Sequence, residues 1–169
     1  MAGEQGLIFP PGRLGPEIDS MGEHHVHHPS EARDSGRVLK VTRPNYSGVT
    51  CRGFLLRDGG VRLMEDNATP AEYFDRWELH NELFGGGARF EGVIQTANGP
   101  AIVISQPHVE GRLPDDTEMP SILKDLGGHP TGDDHWRRMH RGQLIGLSDT
   151  KPSNWIKTGD PASCGSRTE

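Results

Sequence analysis

The sequence predicts an α+β fold in which an antiparallel sheet carries one main helix. Three observations lead there. Short apolar runs alternate with turn-forming residues between His24 and Pro107, which is how antiparallel strands read. A single well-capped helix interrupts them at residues 69–84. With 23 Gly and 13 Pro but only 32% apolar residues in 169, the chain has many turns and a thin core.

Residues 1–20 are rich in Gly and Pro and read as a flexible arm or a lead-in strand. Gly22-Glu23-His24-His25-Val26-His27-His28 follows as a polar strand. Alternation puts His24 and His28 on one face and His25 and His27 on the other, so four histidines do not converge on one metal ion. A turn over residues 29–36 leads to Arg37-Val38-Leu39-Lys40-Val41-Thr42. Lys40 points away from the face of Leu39 and Val41, and on a half-exposed strand that direction is solvent. Residues 43–68 hold a hairpin signal, Asp58-Gly59 between two apolar pieces.

Thr69-Pro70-Ala71-Glu72 opens the helix. Thr69 caps, Pro70 takes the first helical position, and Glu72 completes a capping box. Tyr73, Trp77, His80 and Phe84 form one stripe at helical spacing, read as core, and Gly85-Gly86-Gly87 stops the helix. Residues 89–96 and 101–107 are two strands joined by a turn centred on Asn98-Gly99. Pro107 then starts a hinge-like stretch, and residues 117–126 read as a short helix closed by Gly127-Gly128. Asp133 to Arg138 follow as strand or turn, and Leu144-Ile145-Gly146-Leu147 is a strand. A polar loop runs to Asn154, and Trp155-Ile156 leads out as another strand.

Composition narrows the partners. A net charge of −6 argues against nucleic acid, whose binders present a basic face. No apolar run reaches membrane-spanning length, and residues 1–5 lack a signal-peptide pattern. Cys51 and Cys164 have neither zinc-site nor framework spacing, so a reducing cytoplasm is expected.

The polar loop carries the chemistry. Asp149, Lys151 and Asn154 supply a carboxylate for the attacking hydroxyl, a cation near the transferring phosphate, and an amide oxygen for magnesium, with Pro152 stiffening the turn. The stretch Asp149-Thr150-Lys151-Pro152-Ser153-Asn154 resembles the protein-kinase catalytic loop H-R-D-L-K-P-x-N at Asp, Lys, Pro and Asn, with Leu147 and Ser148 in place of His and Arg. Val38-Leu39-Lys40 loosely resembles V-A-I-K. In order along the chain stand Gly22-Glu23-His24, Leu39 to Pro44, Thr69 to Tyr73, Asn81 to Gly85, Phe90-Glu91-Gly92 and Val103 to Pro107. Together they resemble a protein-kinase-like domain over residues 20–158, closest to the kinase family of polyvalent proteins in phages and mobile elements.

That resemblance implies an N-lobe at 21–107, a partial C-lobe at 108–158 and a disordered tail at 159–169. It implies ATP and magnesium as cofactors and an unidentified protein hydroxyl as acceptor. Asp149 would be the base, Lys151 the phosphate neutraliser and Asn154 a magnesium ligand. Lys40 and Glu78 would anchor the nucleotide, with Glu82 in reserve, and Gly22 would lie in the hairpin over the phosphates. G-x-G-x-x-G is absent, and where the family has the aspartate of D-F-G this chain offers Asp160, six residues after Asn154. The expectation is a truncated C-lobe with ancestral phosphotransferase function; the alternative is a non-catalytic kinase-like remnant acting as an interaction module.

Overall fold

A computed structural model of the chain describes residues 7–20, 22–30, 36–55, 57, 59, 61–130, 136–147, 150–158 and 164–166. The chain divides into two compact units, Met1–His108 and Val109–Glu169. Each mixes antiparallel strands with one α-helix, so the class is α+β.

The first unit is built on five antiparallel strands in the order β1-β2-β3-β7-β6. These are β1 (Leu14–Asp19), β2 (His24–Pro29), β3 (Arg37–Thr42), β6 (Arg89–Thr96) and β7 (Gly99–Pro107). Among the described residues the intervening β4 (Val49–Leu55) and β5 (Val61–Asn67) pair with each other alone, in line with the Asp-Gly hairpin signal. Helix α1 (Pro70–Phe84) separates β5 from β6.

β3 and β7 are buried on both faces. On one face Leu39, Val41, Ala101 and Val103 pack with Phe9 and Ile94. On the other, Ile102 and Ile104 pack with Tyr73 and Trp77 of α1. Strict alternation sends Lys40 and Thr42 to the helix side, where both are buried. The hydroxyl of Thr42 accepts from the Ile102 amide at 2.9 Å, which meets its polar requirement.

α1 begins and ends as its sequence requires. The Thr69 hydroxyl accepts from the Glu72 amide at 3.3 Å, and the Glu72 carboxylate accepts from the Thr69 amide at 2.8 Å. Gly85 closes it in the left-handed conformation (φ 64°). Of the stripe Tyr73, Trp77, His80 and Phe84, the first three are buried and Phe84 is half-buried.

Of the two readings of residues 1–20, flexible arm or lead-in strand, residues 7–20 fit the lead-in strand. Phe9 is fully buried, β1 forms an edge of the sheet, and Ile8 bridges Val93 in parallel. The Phe9 amide donates to the Val93 carbonyl at 2.9 Å, and the Val93 amide returns a bond to Leu7 at 2.6 Å. Gly92 (φ 143°) permits that approach, because a Cβ there would lie 2.9 Å from the Leu7 carbonyl oxygen. Composition concealed this, since the segment's cohesion comes from one aromatic residue and from a strand eighty positions away.

In the second unit β9 (Trp136–His140) lies between β8 (His129–Pro130) and β10 (Gln143–Leu147). Helix α2 (Met119–Asp125) buries Met119 and Leu123. β11 (Trp155–Lys157) pairs with β12 (Cys164–Ser166), which corrects the disordered tail expected at 159–169 for those three residues. Among the described residues no helix is long and apolar enough to cross a membrane.

Truncating Phe9 to Ala removes the aromatic plug from the outer core cluster. The expected cost is about 3–5 kcal/mol, read as a lowered urea midpoint at unchanged m-value. A wild-type midpoint would show that residues 7–9 lie outside the cooperative fold.

Candidate functional site

The sequence assigns phosphate chemistry to residues in both units, and each group is described within its own unit. In the first, Lys40 on β3 is 5% exposed and its ammonium lies 5.6 Å from the centre of the Trp77 ring. It does not face solvent, because α1 covers that side of β3. A cation over an indole face is attracted by the ring quadrupole, by about 2 kcal/mol when desolvated.

Around this lysine the helix side of the sheet is rich in polar rings. His24 on β2 is 2% exposed, and its Nε2 lies 2.9 Å from the Tyr73 hydroxyl. Its ring meets Trp77 edge-on at 6.1 Å, and Trp77 meets His80 at 5.3 Å. Burial, then the Lys40 ammonium and the Arg76 guanidinium, push His24 down to about 3. The same causes push His80 down to about 4. Burial raises the Tyr73 phenol above its ordinary range. At neutral pH the two imidazoles are therefore uncharged.

Arg76 and Glu23 form the rim. The guanidinium donates twice to the Glu23 carboxylate, at 3.0 and 2.6 Å, and also reaches the Val49 carbonyl at 3.1 Å. It stands 5.5 Å over the Tyr73 ring. Glu23 in turn accepts from the Val49 amide at 3.1 Å. Fork-on-carboxylate geometry fixes orientation as well as charge. This joins the turn before β2 to the middle of α1. Sequence reasoning missed it, and no local signal links residues 53 positions apart.

The other predicted residues of this unit lie as follows. Gly22 sits exposed in the turn between β1 and β2 with φ 79°, a conformation that suits glycine. Glu78 and Glu82 are exposed on α1, while Lys40 is enclosed.

In the second unit Asp149 lies outside the described residues. Lys151 is exposed, and Pro152–Asn154 form a 3-10 turn in which the Asn154 amide donates to the Lys151 carbonyl at 3.0 Å. Asn154 is buried, and its Oδ1 accepts from the Ser153 hydroxyl at 3.4 Å. The exit of the loop is anchored by a set of charges the sequence did not reveal. Arg112 forks onto Glu118 at 2.7 and 2.6 Å, and the Lys157 ammonium reaches the same carboxylate at 2.7 Å. The backbones of Arg112 and Lys157 exchange hydrogen bonds of 3.2 and 2.8 Å. Those donors hold the Glu118 carboxyl well below its usual range, the Arg112 contact contributing most.

Among the described residues no group of three or more His, Cys, Asp or Glu side chains is placed to hold a metal ion. The histidines of β2 have separate attachments: His24 to Tyr73, His25 to Glu17 at 3.4 Å, and His27 to the Gly15 carbonyl at 3.1 Å. Comparison with protein-family models, with curated proteins and with solved structures gives no match.

The buried histidines set an acid limit on stability. Their folded pKa values lie below the unfolded value of about 6.5, so the unfolded chain binds more protons in between and stability falls with falling pH. From about pH 6.5 down to about 4 the expected slope approaches 1.4 kcal/mol per pH unit for each histidine. His80→Gln should remove about half of that slope. Urea titrations across this range measure it, and an unchanged slope in the variant would show that His80 is not neutral in the fold.

Proposed function

We propose that the chain is a kinase-like phosphotransferase that takes Mg-ATP and a protein hydroxyl. The observation that carries this reading is the enclosure of Lys40, a central-strand lysine turned toward the main helix rather than toward solvent. Desolvation strengthens an ammonium's pull on phosphate oxygens, and an antiparallel sheet with one main helix is the framework that an N-lobe requires.

The residues present suit the two cofactors by donor chemistry. Lys40 would hold nucleotide phosphates, with the exposed Gly22 turn leaving its backbone open to them. Magnesium takes hard oxygen ligands, and the Asn154 side chain offers one. Bound magnesium would neutralise charge on the phosphates. Asp149 would orient the acceptor hydroxyl and take its proton, and Lys151, which is exposed, would meet the phosphoryl group as it transfers.

A second reading has its own observation. Glu78, the assigned partner of Lys40, is exposed on α1, and only 5% of Lys40 is accessible. A kinase-like module that binds partners without transferring phosphate fits that arrangement.

Thermal denaturation with ATP, with and without magnesium, separates the two. Ligand at 100 times its Kd stabilises the folded state by about 2.7 kcal/mol. The phosphotransferase reading expects a magnesium-dependent rise in Tm that is lost in Lys40→Met, together with phosphate transfer to a generic protein acceptor that is lost in Asp149→Asn. Absence of any shift in folded wild-type protein overturns it and leaves the interaction module.

A further inference from the structure

The buried charged and imidazole side chains of the first unit gather on one side of its sheet. Among the described residues they are His24, Lys40 and His80, at 2%, 5% and 7% exposure. His24 and Lys40 belong to sheet strands and His80 to α1. The outer cluster of Phe9, Leu39, Val41, Ile94, Ala101 and Val103 contains no ionisable side chain. The packing of α1 on the sheet is therefore exposed to the effect of protons, and the packing of the outer cluster is not.

The two histidines stand on opposite sides of the contact between sheet and helix. His24 meets the Tyr73 hydroxyl of α1 through Nε2, and its ring lies 6.1 Å from Trp77. An imidazolium donates at both nitrogens, and Nδ1 of His24 is buried without a hydrogen-bond partner. The His80 ring is enclosed by Trp77 at 5.3 Å, by Phe84 at 5.2 Å and by Gly86, where a Cβ would collide with the imidazole. The charged groups acting on both histidines are Lys40 from β3 and Arg76 from α1, with His25 beside His24 on β2. The Glu23 carboxylate, from the turn before β2, is engaged by Arg76. A proton on either histidine places a new cation close to Lys40 and Arg76, out of water. Beyond Phe84, Gly85 and Gly87 have φ 64° and 62°, a backbone that suits glycine, where α1 joins β6.

We propose that protonation of His24 and His80 detaches α1 from the sheet while the outer cluster stays packed, so that mild acid uncovers Lys40, Ile102 and Ile104. On a detached helix both imidazoles regain water and the ordinary value of about 6.5. On the docked helix, burial first and then Lys40 and Arg76 hold them at about 3 and about 4. The detached state therefore binds up to two more protons, and falling pH favours it. Below about pH 6.5 its population relative to the docked state rises by a factor approaching tenfold per pH unit for each histidine. Contacts of Tyr73 and Trp77 with Ile102 and Ile104 oppose detachment and keep α1 in place at neutral pH. The acid limit on stability thereby acquires a location, the one helix of the first unit. Nothing in this device requires ATP or Asp149.

Hydrogen exchange of the full chain tests this, read by mass spectrometry between pH 7 and 5 and corrected for the intrinsic pH dependence of amide exchange. Protection of residues 70–84 should fall by more than about tenfold per pH unit below 6.5, steeper than one histidine allows. At pH 5 it should lie at least tenfold below the protection of residues 38–42 and 100–106. His24→Gln and His80→Gln, made separately, should each reduce the slope to that of one histidine, about tenfold or less per pH unit. Circular dichroism at pH 7 checks that each variant folds, and the wild-type slope stands without either. Strands no better protected than α1 at every pH would show one cooperative opening and overturn the proposal. So would protection of residues 70–84 that does not fall with pH, or a slope that the folded variants leave unchanged.

Discussion

Burial of β3 and β7 on both faces is the constraint from which the first unit follows. A strand covered on one side can send its polar residues to water. These two cannot, and alternation still carries Lys40, Thr42, Ser105 and Gln106 inward. Each such group needs company, because an unsatisfied buried polar group costs free energy comparable to a lost hydrogen bond. Thr42 is satisfied by the Ile102 amide. Ser105 donates to Glu91 at 2.7 Å and accepts from Arg37 at 2.9 Å. Lys40 has the face of Trp77.

The histidine of β2 obeys the same rule. Paired with Thr42 in register, His24 must share its face, and Tyr73 meets it there. Burial, and then the Lys40 and Arg76 cations, keep the two imidazoles neutral. Glu23 and Arg76 form their ion pair at the rim, where both are partly exposed, and water screens much of its strength.

The second unit solves a different problem with different means. It has few strands and short ones, and its loop from Thr150 to Asn154 is held at its exit. The Arg112–Glu118–Lys157 set and the paired backbones of Arg112 and Lys157 tie the residues following Asn154 to the start of α2. Asn154 is then buried by the turn that Pro152 begins.

Local physics made much of this legible. α1 was readable to the residue because a capping box, a first-turn proline and a terminal glycine act over a few positions. The turn signals Asn98-Gly99 and Asp58-Gly59 are equally local. The burial of the Tyr73–Trp77–His80 stripe followed from period alone. By contrast, the direction of Lys40 was decided by what covers β3, and the sequence around it contains no trace of α1. Phe9 and the Glu23–Arg76 and Glu118–Lys157 pairs bring together groups far apart in the chain, where no spacing rule applies. The sequence by itself determined α1 and most of the strands around it, because caps, turns and alternation are short-range, but not β12 in the tail. Tertiary structure alone decided which polar residues are enclosed and what they touch, because burial belongs to neighbours the chain brings from elsewhere.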